Sequence, residues 1–148
     1  MAYDVKDIAN LLLLSAESYS GGELMTNMKL QKMLYYQQGF HLAYFDTPLF
    51  DDEIEAWMYG PVVKSVYNHY KRYGKSGIAG DNGKQFSFNL PTESALFDEV
   101  NRVYGRFSAI GLMEMTHKER PWKSVPIREG SIIPKSTIQS FFKTRLKK

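Results

Sequence analysis

The segment MKLQKMLYYQQGFHLAYF, residues 28–45, constrains the fold more than any other. At about 100° per residue, Leu30, Met33, Leu34, Tyr36, Phe40, Tyr44 and Phe45 share one broad apolar face of a helix, and Gln37 and His41 sit in its middle. So much apolar surface on one helix must be covered by other elements, and polar groups within it need hydrogen-bond partners.

The rest of the chain supplies covers of the same kind. Asp4 and Asp7 offer a cap for a first helix through Leu11, Leu12 and Ala16 that ends in SYSGGE. Pro61, after Gly60, is expected to open a third helix with Val62, Val66, His69, Tyr70 and Tyr73 along one side. Thr92 is expected to cap a fourth, through Leu96, Val100, Val103 and Phe107, with its exit at Gly105. Ser108 is expected to cap a short fifth that stops before Pro121, and Pro134 to open a sixth through Ile138, Phe141, Phe142 and Leu146.

Only EIEAWMY and QFSFNL alternate with a strand period, so these two are expected to pair. In the first, Ile54, Ala56 and Met58 oppose Glu55, Trp57 and Tyr59. GKSGIAGDNGKQ, residues 74–85, is expected to be a loop within one domain. The expectation is a mainly α fold, a single compact domain over 1–148 of about six helices with a small antiparallel β element.

At 148 residues there is room for one ordinary domain. No apolar run approaches the ~18 residues that cross a bilayer, and LLLL at 11–14 is too short and lacks the positively charged n-region of a secretory signal before it, so neither membrane nor export is expected. The lack of cysteine rules out disulfides, thiol catalysis and cysteine metal sites, and fits a reducing cytoplasm. The net charge of +3 is uneven. Lys135, Lys143, Arg145, Lys147 and Lys148 all follow the last acidic residue, Glu129, and make 143–148 a basic C-terminal tail. Such a tail suits an acidic or phosphate partner, or a solvated helix end whose cations complement the dipole.

Motifs of catalysis are mostly wanting. YGKS at 73–76 has His69 where a phosphate loop needs glycine. His117-Lys118-Glu119 has the spacing of zinc deaminases without their cysteines. His41, His69 and His117 match no local metal-ligand pattern. A hydrolase would have to join His117 and Glu119 to Ser108 or Thr116, yet residues two apart diverge on a helix. Asp51, Asp52, Glu53 and Glu55 are expected to solvate a turn and a strand face. YNHYKRYGK has the aromatics and cations of a stacking surface, but its tyrosines fall on apolar faces. No enzyme activity, cofactor or metal is expected, and nucleic acid is not the expected partner.

Several motifs occur in order: Leu30-Gln31-Lys32, Gln38-Gly39, His41, Glu55-Ala56-Trp57, Gly60-Pro61-Val62, Thr116-His117 and Pro121-Trp122. With them the chain resembles, from about residue 5 to residue 142, the Panacea domain of phage-associated proteins, which includes SocA-like antitoxins of type II toxin–antitoxin systems. The resemblance implies a mostly helical cytoplasmic protein that neutralises a cognate toxin by direct binding, the toxin often being encoded beside it. One branch is similar to a proteolytic adaptor that delivers its toxin to a cytoplasmic protease, so a phage-associated adaptor or regulator recruiting a host protein or nucleic acid is the alternative. Many members append a DNA-binding domain, whereas this chain has only the core, so operon autoregulation through a fused helix-turn-helix is not expected.

Two sets of residues are singled out. Gln37 and His41 form a structural polar seam, expected to bond groups near EAWMYGPV and to fix the packing of the second and third helices. Trp57, Tyr59, His117 and Trp122 are candidates for partner binding, large aromatics being common anchors and equally common in cores.

Overall fold

The computed structural model describes residues 2–18 and 24–146. Among them the elements run α1 (Val5–Ser18), β1 (Met25–Thr26), α2 (Asn27–Phe45), β2 (Ile54–Trp57), β3 (Gly60–Val62), α3 (Lys64–Tyr70), β4 (Gly77–Ile78), α4 (Pro91–Tyr104), α5 (Ala109–His117), α6 (Arg120–Lys123), β5 (Ile132–Ile133) and α7 (Lys135–Lys143). A 3-10 turn, Lys71–Tyr73, extends α3. The fold is mainly α, with two small antiparallel sheets, β1-β4 and β3-β2-β5.

α2 is the axis of the molecule. Its N-terminus is capped by Thr26, whose hydroxyl accepts from Lys29 N at 3.3 Å. It ends at Asp46, which takes the left-handed conformation at φ 61° and returns its N–H to Leu42 O. The Asp46 carboxylate accepts from Gln139 Nε2 at 2.9 Å and Lys143 Nζ at 2.8 Å, so the turn that closes α2 also seats α7.

α1, α4, α5, α7 and β3 all pack on α2. Every residue from Leu30 to Gly39 is buried, so the expected single face is instead a helix covered all round, while Tyr44, assigned to that face, is 58% exposed. α7 approaches most closely at Gly39, where a Cβ would collide with the Phe142 ring. Around this crossing Tyr35, Tyr36 and Phe40 meet Phe142 edge to face, and Tyr104 stacks on Tyr36 with centroids 4.2 Å apart.

Asp4, Gly105, Ser108 and Pro134 punctuate the helices as expected. Asp4 Oδ1 accepts from Lys6 N at 2.9 Å, and Ser108 Oγ accepts from Gly111 N at 3.0 Å. The expected exit of α1 in SYSGGE lies outside the described residues beyond Ser18.

Other expectations are corrected. QFSFNL is not a strand: both edges of β2 are already paired, and Phe86 and Phe88 turn their rings onto Tyr3, with Phe88 also reaching Phe97. Pro61 lies in β3, an edge strand where its missing N–H breaks no ladder, and α3 begins only at Lys64. Leu90, not Thr92, is the N-cap of α4, with Pro91 opening the helix. The 74–85 loop contains β4, and the short α6 makes seven α-helices among the described residues. The basic end is partly tied down: Lys135 pairs with Glu53, Lys143 with Asp46, and the Arg145 guanidinium lies over Phe141.

Candidate functional site

The buried polar side chains of α2 all find partners. Gln37 Nε2 donates to Phe97 O on α4 at 3.0 Å. His41 Nε2 lies 2.8 Å from Glu93 Oε2, also on α4, and its Nδ1 lies 2.7 Å from Thr47 O. Burial raises the Glu93 carboxyl, but hydrogen bonds from His41 and Tyr3 outweigh it and hold the group below its ordinary value. These two residues therefore tie α2 to α4 and to the turn after α2, rather than to α3 or the β2–β3 strands as expected.

The connection toward α3 expected of Gln37 and His41 is made by Gln31, and Gln38 ties α2 to the chain that precedes β2. Gln31 Oε1 accepts from Val63 N at 2.9 Å, just where β3 passes into α3. Gln38 brackets the chain at 49–50, accepting from Leu49 N and donating to Phe50 O, each at 2.7 Å. A signal was present: between Lys32 and Asp46 the sequence has no charged residue, which a helix with a solvent face would carry.

Two ionisable groups lie deep in the fold. Lys32 is 1% exposed, its Nζ is 3.4 Å from Met28 O, and it has no ion-pair partner among the described residues. Burial lowers its pKa to about 7. Gly60, at φ 115°, forms the roof over its side chain, where a Cβ would come within 2.5 Å of Lys32 Cε. Glu119 accepts from Tyr35 at 2.9 Å and Tyr36 at 2.8 Å, while burial pushes its carboxyl above the ordinary value against those bonds.

The four aromatic candidates converge on one surface. β2 and β3 pair Trp57 with Gly60, so Met58 and Tyr59 form a two-residue turn. Such turns favour Asn, Gly or Asp, yet here they present Met58 at 67% and Tyr59 at 62% exposure. Met58 therefore leaves the Ile54–Ala56 face on which alternation had placed it. Behind the turn His117 and Trp122 stack with centroids 4.1 Å apart, and His117 Nε2 lies 3.0 Å from Met58 O. Trp122 Nε1 donates to Trp57 O at 2.7 Å, and Trp57 Nε1 donates to Glu55 Oε1 at 2.8 Å. Trp57, His117 and Trp122 are half-buried, a rigid aromatic shelf beneath an exposed two-residue tip.

The hydrolase set does not assemble. Ser108 caps the start of α5 and His117 ends it, about 13 Å apart at ~1.5 Å per residue. Thr116 Oγ1 donates to Met113 O, and Glu119 is turned inward to the tyrosines. Among the described residues no three of His, Cys, Asp and Glu are placed to hold a metal, and no helix is long and apolar enough to cross a membrane.

The fold is a helical domain built on one enclosed helix, with an aromatic hairpin tip over a half-buried shelf. Residues 30–123 match the family described as Antitoxin SocA-like, Panacea domain, and the chain is a member of it. It is also similar to Antitoxin SocA of Caulobacter vibrioides (strain NA1000 / CB15N), with 30% identity over 139 residues, covering 86% of this chain and 73% of that protein. No solved structure matches. The matched residues run from α2 through α6 and contain the whole hairpin and shelf, whereas α1 and α7 lie outside them.

Proposed function

We propose that this protein is the antitoxin of a type II system, which neutralises a cognate toxin by direct binding through Met58, Tyr59 and the shelf of Trp57, His117 and Trp122. Binding, not turnover, is then its activity. The observation that carries the reading is the similarity to an antitoxin over most of both chains. The geometry supports a surface: an exposed Tyr beside half-buried Trp side chains is the composition of an interface hot spot with its pocket walls already ordered.

The test is co-expression with the product of the gene adjacent in the native locus. That product alone should arrest growth, this protein should restore it, and the two should co-purify. A Met58→Ala/Tyr59→Ala variant with unchanged thermal stability should lose both rescue and co-purification. A harmless neighbour that does not bind would sink the antitoxin reading, and full rescue by the double variant would place the binding surface elsewhere.

A further inference from the structure

Resting on that reading, we infer that the segment of the partner that meets the hairpin tip is acidic, with apolar side chains flanked by carboxylates. The shelf residues are interleaved with cations. Lys118 follows His117, Arg120 and Lys123 bracket Pro121 and Trp122, and the Arg128 backbone N–H bonds Ala56 O at 2.8 Å, on the strand that carries Trp57. All four side chains are exposed, and none has an ion-pair partner among the described residues.

Acidic groups nearby do not cancel this rim. Glu55 is buried and holds Trp57 Nε1 and Gly130 N, Glu119 is buried beneath Tyr35 and Tyr36, and Glu129 pairs with Lys64. Between α5 and Arg128 the remaining exposed carboxylate is Glu114, one turn back on α5 from Lys118. Lys64, Lys135 and Lys143 are each neutralised by a carboxylate at 2.8 Å; exposed cations such as Lys6, Lys75 and Arg106 have no ion pair among the described residues, so what distinguishes the rim is its place among the shelf residues. An apolar knob in an unneutralised cationic rim is complementary to a protein surface of the opposite charge, which it would steer and orient on approach.

A nucleic acid would also be drawn to these charges, but the rings are poorly disposed for it. His117 and Trp122 already stack on one another, Trp57 packs edge-on against Tyr67, and both indole N–H groups are spent internally. Of the knob, Met58 is not a stacking platform, and Tyr59 offers a single ring where strand binding uses successive aromatic platforms.

The experiment compares the full-length protein with a Lys118→Glu/Arg120→Glu/Lys123→Glu variant. A control variant reverses Lys6, Lys75 and Arg106, exposed cations outside β2, β3, α5 and α6, and thermal unfolding checks all three proteins; Lys123→Glu alone replaces the triple variant if the latter is unstable. Each is challenged with a random dodecapeptide display library, with labelled dT20 and U20 oligonucleotides, and with the adjacent-gene product. The expected result is enrichment of Asp- and Glu-rich peptides with apolar centres. Their binding should fall at least tenfold in the rim variant and in Tyr59→Ala, but less than twofold in the control.

The adjacent-gene product should associate at least tenfold more slowly with the rim variant at low salt. Neutral or basic peptides, no enrichment sensitive to Tyr59→Ala, or tighter oligonucleotide binding would overturn the inference. If the rim variant binds and neutralises that product as wild type does, the inference fails and the antitoxin reading stands. If the product neither binds nor harms cells, that reading fails, and the peptide selection alone decides the chemistry of the tip.

Discussion

Replacing Lys32 by Met should stabilise this protein, and the gain should depend on pH. In the unfolded chain the ammonium titrates near 10.5, whereas in the fold burial brings it to about 7. Between those values the unfolded state holds a proton that the folded state has released, so stability rises with pH across this window. Lost as pH falls from 10.5 to 7 is 3.5 units' worth, on the order of 4–5 kcal/mol at ~1.4 kcal/mol per unit. Below 7 both states are charged and the contribution is flat.

Methionine is about as long as lysine and fills the same channel beneath Gly60 without a proton to hold. Lys32→Met should therefore gain about 4 kcal/mol at pH 7, or ~8–16 °C in Tm for a domain of this size, and almost nothing near pH 10.5. Urea unfolding of both proteins at pH 7 and 9.5 measures it. Wild type should gain about 3 kcal/mol more than the variant between those pH values. Parallel pH profiles, or a variant less stable at pH 7, would refute the claim that an unpaired amine lies buried there.

Gly39→Ala forces a methyl group into the Phe142 ring, and overpacking should cost about 1–3 kcal/mol in chemical denaturation. His41→Leu leaves the buried Glu93 without its main partner and should destabilise by about 2–3 kcal/mol, while the fraction that stays folded binds partner within threefold of wild type. A stable variant with lost binding would make His41 a contact residue instead. Tyr59→Ala should do the reverse: thermal stability within about 0.5 kcal/mol of wild type, with partner dissociation at least tenfold faster by surface-binding kinetics.

What the sequence disclosed was local chemistry. Ser108 caps its helix because a hydroxyl reaches an N–H three residues on, and Pro134 and Gly105 bound helices for equally short-range reasons. β2 lies where EIEAWMY alternates, as expected, but the other strands were hidden because segments of two or three residues are too short to have a period. Ile132–Ile133 becomes a strand only through its pairing with Ile54–Glu55, far away in sequence. The Phe86 and Phe88 alternation misled because three-ring packing against Tyr3 needs the same spacing as a strand.

At the site, Trp57, Tyr59, His117 and Trp122 could be named individually, but nothing local says that α5, α6 and the β2–β3 hairpin meet. Lys32 was passed over because a charged residue is ordinarily taken to mark solvent, and Glu119 was weighed only as a catalytic acid for the same reason. Here the surrounding apolar run, unbroken by a second charge up to Asp46, was the better guide.

The seat of α7 sets a limit on how this protein can be cut. Phe142 fills the space between Tyr35, Tyr36 and Phe40, and Asp46 holds the last helix by Gln139 and Lys143. A fragment trimmed to the family-matched residues 30–123 would leave those three rings facing water and break the first helix from its axis. Any transplant of the hairpin surface into another protein, or fusion designed to display it, should therefore carry the chain through α7, since the family-matched residues leave out the helix that covers those rings.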